Sequence, residues 1–276
     1  MRILDSHLHL WDSAALRYTW LSGRLIGPFG PSQRRAATEE AGDAERAAIF
    51  VQAECVPDDA LAEVDWVTAL APEAGVVGIV ARVEMERGAA VRPHLLALRS
   101  RPLVVGVRRL IQDEQPGFAT SPAFLAAARA VAEAGYVFDA CVRSAQLGEV
   151  IALADAVPDL PLVLDHLGKP DVSGAPGADW LAALSALAER PQVSCKLSGL
   201  PAEVDGEWMP EQLTPFLDAA LAAFGPRRLL FGADWPVSWP YARWERAVID
   251  WARERVAPHE VDDILWGNAA RVYGVV

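Results

Sequence analysis

Short apolar runs recur along the chain at intervals of 25–44 residues, at 3–9, 47–54, 76–83, 103–109, 136–142, 161–166, 192–198 and 229–234. Several, such as AAIF at 47–50 and VVGIVA at 76–81, are continuously apolar, the pattern of parallel strands buried on both faces. Between them lie Ala- and Leu-rich stretches with helical spacing. In 144–156, Leu147, Val150, Ile151 and Ala154 recur at i, i+3, i+4 and i+7 and form one apolar stripe. Ser121 and Pro122 offer an N-cap and a first-turn residue for a helix carrying Phe124, Ala128 and Val131. Eight strands alternating with helices predict an α/β fold, a (β/α)8 TIM barrel with an enlarged loop after strand one and a closing helix over 258–273. A doubly wound sheet is the competing architecture. It usually opens with a Gly-rich phosphate turn after the first strand, and HLHLWD stands there instead. No linker or charge block divides residues 1–276, so one domain is expected.

Composition narrows the partners. Hydrophobic residues make up 52% of the chain, ample for a large core, and 25 Lys+Arg against 37 Asp+Glu give a net charge of −12. No basic cluster offers a surface for nucleic acid or acidic lipid, so neither partner is expected. The start, MRILDSHLHLW, lacks the charged and apolar regions of a secretory signal, and no apolar run approaches the roughly 18 residues of a membrane span. A cytoplasmic protein is expected. Cys55, Cys141 and Cys195 are widely separated, each in or just after an apolar run, and read as buried free thiols.

The chemistry sits at the ends of the runs. In strand one Asp5, His7 and His9 share a face because strand neighbours alternate with period two, and both histidines fall at the strand's carboxyl end, which in a barrel is the active-site mouth. Gln52, Glu54, Arg108, Asp139, His166, Lys196, Ser198 and Asp234 close or nearly close other runs. Burying any of them without a partner costs several kcal/mol, so their recurrence at one rim reads as a shared polar cup. Helix capping and loop solvation are the bland alternative. Trp11, Trp20, Trp235 and Trp239 lie on the enlarged loop or just past the last strand, where flat aromatic walls suit the C–H face of a sugar ring. The other six tryptophans read as packing, and His94 and His259, both in helical stretches, as capping or exposed residues.

Taken together, LDSHLHLWD, VVGVRRL, LVLDHLGKP, CKLSGL, LLFGADWPV and WGNAARVYG resemble the amidohydrolase superfamily. The likeness is to its lactonase-like branch, which includes L-fuconolactonase, L-rhamnonolactonase and pyrone-dicarboxylate lactonase, and it spans almost the whole chain. It implies a (β/α)8 barrel that hydrolyses a carbonyl-containing small molecule, with His7 and His9 as the first-strand pair, His166 as the sixth-strand histidine and Asp234 as the last-strand aspartate. Asn268 matches a closing motif and is expected to hold loop backbone beneath the site. Arg108 stands where the superfamily's bridging lysine would be, and FDACV ends strand five without a histidine, so two metals are not expected. One divalent metal, Zn2+ by preference, would use His7, His9, Glu54 and Asp234. A metal-free site in which Arg108, Lys196 and His166 polarise the carbonyl stays open beside it.

The expected reaction is the opening of a sugar-acid lactone, an L-fucono-, L-rhamnono- or related aldonolactone. Asp234 is the base, His7 and His9 hold the metal or the water, and His166, Arg108 or Lys196 meets the oxyanion. Arg108, Lys196, Trp20, Trp235 and Trp239 are the expected substrate contacts. A decarboxylase resembling the aminocarboxymuconate decarboxylases and a non-catalytic sugar-binding barrel are the alternatives.

Overall fold

A computed structural model describes all residues 1–276. The eight runs form eight strands: β1 (Arg2–Leu8), β2 (Glu45–Val51), β3 (Val76–Arg82), β4 (Val104–Leu110), β5 (Val137–Cys141), β6 (Leu162–Leu164), β7 (Val193–Leu197) and β8 (Leu229–Phe231). Each pairs in parallel with the next, in the order β1 to β8. The sheet closes where the backbone beyond β8 meets the end of β1: Asp234 N donates to His7 O at 2.8 Å and His9 N to Trp235 O at 2.9 Å. This is the expected (β/α)8 barrel.

Eight helices follow the strands: α1 (Pro31–Glu39), α2 (Ala60–Ala74), α3 (Arg92–Arg99), α4 (Pro122–Ala134), α5 (Leu147–Ala156), α6 (Ala178–Ala188), α7 (Pro210–Phe224) and α8 (Tyr241–Arg255). The Ser121 hydroxyl caps α4 by accepting from Phe124 N at 3.2 Å. On α5 the stripe points inward, with Leu147, Val150 and Ala154 buried. None of the helices is long and apolar enough to cross a membrane. The segment expected as one closing helix is α9 (Pro258–Asp262), a π-helical turn (Asp263–Gly267) and α10 (Asn268–Tyr273).

Alternation along the strands separates two cores. Phe50, Phe138, Leu164 and Phe231 face the helices and pack with Phe124 and Phe216. Leu4, Ile49, Val80, Val137, Val163 and Leu230 face the barrel axis and pack with Trp266, Ala269 and Tyr273, so the last segment plugs the amino-terminal end of the barrel. Asn268 secures that plug by donating to Pro226 O at 2.7 Å and Leu229 O at 2.8 Å.

Two departures from the sequence pattern shape the rim. β1 shifts register between Asp5 and Leu8, and such a bulge breaks the period of two. Asp5 therefore does not share a face with His7 and His9. It sits in the field of Arg34 and Glu245 outside the barrel, and its Oδ1 accepts from His7 N at 3.0 Å and Ala233 N at 2.8 Å, stapling the bulge to the end of β8. The second departure is that β6 and β8 stop short of His166 and Asp234. His166 (φ 54°), Asp234 (φ 55°) and Glu54 (φ 56°) are left-handed and have left the extended conformation.

Candidate active site

Inside the barrel, above the apolar plug, lies a fully buried ionic layer. Lys196 Nζ donates to Asp139 Oδ2 at 2.5 Å and lies 3.0 Å from Asp165 Oδ1, and the Tyr273 hydroxyl donates to Asp139 Oδ1 at 2.7 Å. Arg108 Nη1 is 3.3 Å from Asp165 Oδ2, and Arg108 Nη2 donates to Gln52 O at 2.5 Å. Burial pushes Asp139 up to about 6, whereas in Asp165 the burial effect is overcome by Lys196 and His7, which hold it well below the usual carboxylate range. Lys196 stays charged because Asp139 and Asp165 offset its desolvation.

His7 stands on this layer. Its Nδ1 is 3.2 Å from Asp165 Oδ1, the carboxylate–histidine contact that commonly orients a metal-binding imidazole. Its Nε2 faces His9 Nε2 at 3.1 Å. His9 Nδ1 is 2.8 Å from Val51 O, and a carbonyl only accepts, so the His9 proton sits on Nδ1 and its Nε2 lone pair points into the site. Asp234 Oδ1 completes the group, 3.4 Å from His9 Nε2, 3.7 Å from His7 Nε2 and 3.8 Å from His166 Nε2. Its other oxygen accepts from the Ser238 hydroxyl at 2.8 Å. His166 is fixed through Nδ1 by Ser198 Oγ at 2.8 Å, and its ring lies against Gly199, whose missing side chain makes the room.

Protonation follows from these contacts. Burial lowers His7 far below its ordinary value and lowers His166 to about 4, so both rings are neutral near pH 7. Burial would raise Asp234, but the neighbouring imidazoles, His166 foremost, hold it ionised and well below the carboxylate range. Two lone-pair nitrogens and an ionised oxygen facing one another call for a cation or a shared proton. Two donors on a tetrahedral ion with bonds of about 2.05 Å stand about 3.3 Å apart, close to the separations among His7, His9 and Asp234. His7, His166 and Asp234 form a buried group that could hold a metal ion, and His9 Nε2 stands beside it, 3.1 Å from His7 and 3.4 Å from Asp234.

The cluster opens into a hollow of about 340 Å³ lined by His9, His166 and Asp234, with Trp20, Glu54, Arg108 and Cys141 among its walls. Other expected residues lie elsewhere. Glu54 is on the wall but outside the donor cluster, because its Oε1 accepts from Gln52 at 2.6 Å and its Oε2 from Arg82 at 2.7 Å. Lys196 has no exposed surface and takes part in the layer beneath, not in the lining. Trp235 is buried against Phe29, with ring centroids 5.6 Å apart, and Trp239 is 47% exposed; neither lines the hollow. Trp20 does, its indole held by Ala53 O at 2.8 Å. Cys55, Cys141 and Cys195 are free and buried.

Asp165 and Tyr273 in the ionic layer, and Lys169, Glu203, Gln112 and Asp113 on the walls of the hollow, are site residues that the strand-end pattern does not mark. Alternation from Val163 could have found Asp165, since Val163 and Asp165 share the inner face. No periodic signal marks Lys169, which belongs to a left-handed turn.

The chain as a whole has recognisable relatives. The chain is 32% identical to L-fucono-1,5-lactonase of Burkholderia multivorans over 99% of its own length and 96% of that protein. It is 27% identical to L-fucono-1,5-lactonase of Burkholderia ambifaria, covering 99% and 95% of the two chains. A crystal structure of an amidohydrolase from Burkholderia multivorans with bound zinc superposes with a TM-score of 0.86 at 32% identity, covering 100% of both chains. The model of the family described as Amidohydrolase matches residues 4–275, and the chain belongs to that family.

Proposed function

We propose that this protein hydrolyses an uncharged sugar-acid lactone at the His7, His9, His166 and Asp234 cluster, with one divalent metal, zinc by preference. The observation that carries the reading is the convergence of these four side chains at the floor of a hollow in which every wall charge has an opposite charge beside it. Glu54 has Arg82 at 2.7 Å, Asp113 has Arg143 at 3.0 Å, and Glu203 has Lys169 at 3.5 Å. Arg108 answers Asp165 from inside the barrel. No wall cation is left over to neutralise a substrate carboxylate, which favours a neutral polyhydroxylated ring over a pyrone dicarboxylate. The lactonase relatives and the zinc-bound neighbour support the same reading.

His7, His9 and Asp234 would hold the metal, with His166 beside them, and the bound ion would supply Lewis acidity to the carbonyl or the attacking water. Asp234, ionised at neutral pH, takes the proton of that water through Oδ1 and returns it to the ring oxygen as the C–O bond breaks. Ser238 keeps the carboxylate from turning. Desolvation works against the Arg108 charge, but Asp165 and its other acidic neighbours outweigh it, and Arg108 lines the hollow, where it offers positive charge to the developing oxyanion. His166, neutral and anchored by Ser198, positions Asp234 and does not act as a cation. Trp20 offers its face to the ring C–H groups.

The test is a pH-indicator assay against an aldonolactone panel, with and without chelator, beside a carbon dioxide assay on aromatic carboxylates. Acid release from aldonolactones that chelator abolishes and zinc restores is expected. Carbon dioxide release without lactone opening would overturn the reading, and chelator-resistant hydrolysis would remove the metal from it.

A further inference from the structure

Lys169 and Glu203 form an ion pair that is incomplete. Both line the hollow, with side chains only 17% and 23% exposed, and Lys169 Nζ stands 3.5 Å from Glu203 Oε1. An ammonium–carboxylate contact free to close settles at about 2.7–2.9 Å. Glu54, on the wall of the same hollow, does close on Arg82 behind it, at 2.7 Å, and Gln52 fills the remaining Glu54 oxygen. Asp113 is likewise engaged, by Arg143 at 3.0 Å and Gln112 at 3.2 Å. Lys169 and Glu203 have no other side-chain partner, so donors and acceptors are left over on both.

Two irregular turns bring this pair together. Lys169 ends a run of four residues with positive φ, His166 (54°), Leu167 (55°), Gly168 (72°) and Lys169 (49°), tied by Lys169 N to His166 O at 2.8 Å and by the Trp180 indole to Leu167 O at 2.9 Å. Glu203 ends the turn Leu200–Glu203 that follows Gly199, and Gly199 is the residue pressed against the His166 ring. The two turns are docked through that contact, which fixes an ammonium and a carboxylate side by side.

We propose that Lys169 and Glu203 read a vicinal diol of the substrate ring, the ammonium donating to one hydroxyl and the carboxylate accepting from its neighbour. This rests on the lactonase reading and deepens it. The pair makes the site selective for lactones with adjacent hydroxyls, because a ring without them leaves both charges without their new partners.

The experiment compares kcat/KM for an aldonolactone and for unsubstituted δ-valerolactone in the parent, Lys169→Met and Glu203→Gln proteins, with thermal melts to confirm folding. The ratio of the two kcat/KM values should fall on the order of 10- to 100-fold in Lys169→Met and less in Glu203→Gln. A 1,5-anhydroalditol, which keeps ring and hydroxyls without a carbonyl, is titrated calorimetrically into the same three proteins. Binding to the parent that is weakened in both variants supports the proposal even where no lactone is opened, an outcome that would defeat only the lactonase reading. An unchanged ratio, an equal loss on both lactones, or anhydroalditol binding that is absent from the parent or unaltered by the substitutions overturns it.

Discussion

Replacing Gly199 by alanine tests the link between the barrel's loops and its chemistry. A Cβ at this position would lie 2.3 Å from Nδ1 and 2.4 Å from Cγ of His166, where ordinary van der Waals contact begins at 3.4 Å and real Cβ atoms essentially never come within 3.0 Å. The imidazole would have to retreat by roughly 1 Å. It has little room, being held by Ser198 Oγ at 2.8 Å on one side and packed against the His7 ring at 4.4 Å between centroids on another. Overpacking of this kind costs about 1–3 kcal/mol, and the φ of +72° adds about 1–2 kcal/mol for a residue with a Cβ. The sum, about 2–5 kcal/mol, corresponds to a melting temperature lower by roughly 4–9 °C for a chain of this length. Misplacing a positioning group by about 1 Å costs on the order of 100-fold in rate, so kcat/KM for lactone opening should fall by about that factor. Gly148→Ala is the control: it lies within α5, a Cβ there meets nothing within 4 Å, and the change should stabilise by up to about 1 kcal/mol. Gly199→Ala with the melting temperature and kcat/KM of the parent would refute the reasoning.

Asp234→Asn should fold and lose hydrolysis by about 10²–10⁴-fold, measured as kcat on an aldonolactone; turnover like the parent's would remove Asp234 from proton transfer. Lys196→Met leaves Asp139 and Asp165 buried without their shared cation and should destabilise by about 3–5 kcal/mol in urea melts, with Asp139→Asn restoring part of the loss. Glu63 lies fully buried on α2, accepting from Tyr18 and from Ala53 N while its Oε2 has no partner, and burial raises it to about 7. A carboxyl raised in the folded state binds its proton more tightly there, so its stabilising effect is complete below about 4.5 and fades as pH rises to about 7. Glu63→Gln, which cannot ionise, should gain about 3 kcal/mol on the parent across that window. Parallel stability profiles for the two proteins would contradict this.

The sequence carried the barrel because its evidence was repetitive: each strand is an apolar run, and errors in one run do not disturb the count. It carried His7, His9, His166 and Asp234 because the mouth of a parallel barrel collects whatever ends its strands. It failed where the backbone left the regular path. Asp5 was placed with the histidines because alternation cannot register a bulge. Lys196 ends its run as a rim residue would, and the carboxylates that bury it come from elsewhere in the chain, Asp139 from β5 and Asp165 from the turn just past β6. Lys169 and Glu203 were invisible for a related reason: their nearness arises from two irregular turns meeting at a glycine. Glu54 ends its run as a ligand would, and only the positions of Gln52 and Arg82 show that its oxygens are already taken.

The plug at the amino-terminal end of the barrel has a consequence for how the protein comes into being. Tyr273, which completes the hydrogen bonding of Asp139, leaves the ribosome after every strand has been made, and the seam of the barrel joins its first strand to its last. A growing polypeptide therefore carries acidic groups with no finished interior to receive them until the 258–273 segment has emerged. Catalytic competence should arise in a single late event, and fragments lacking 258–273 should be inert even with every cluster residue present.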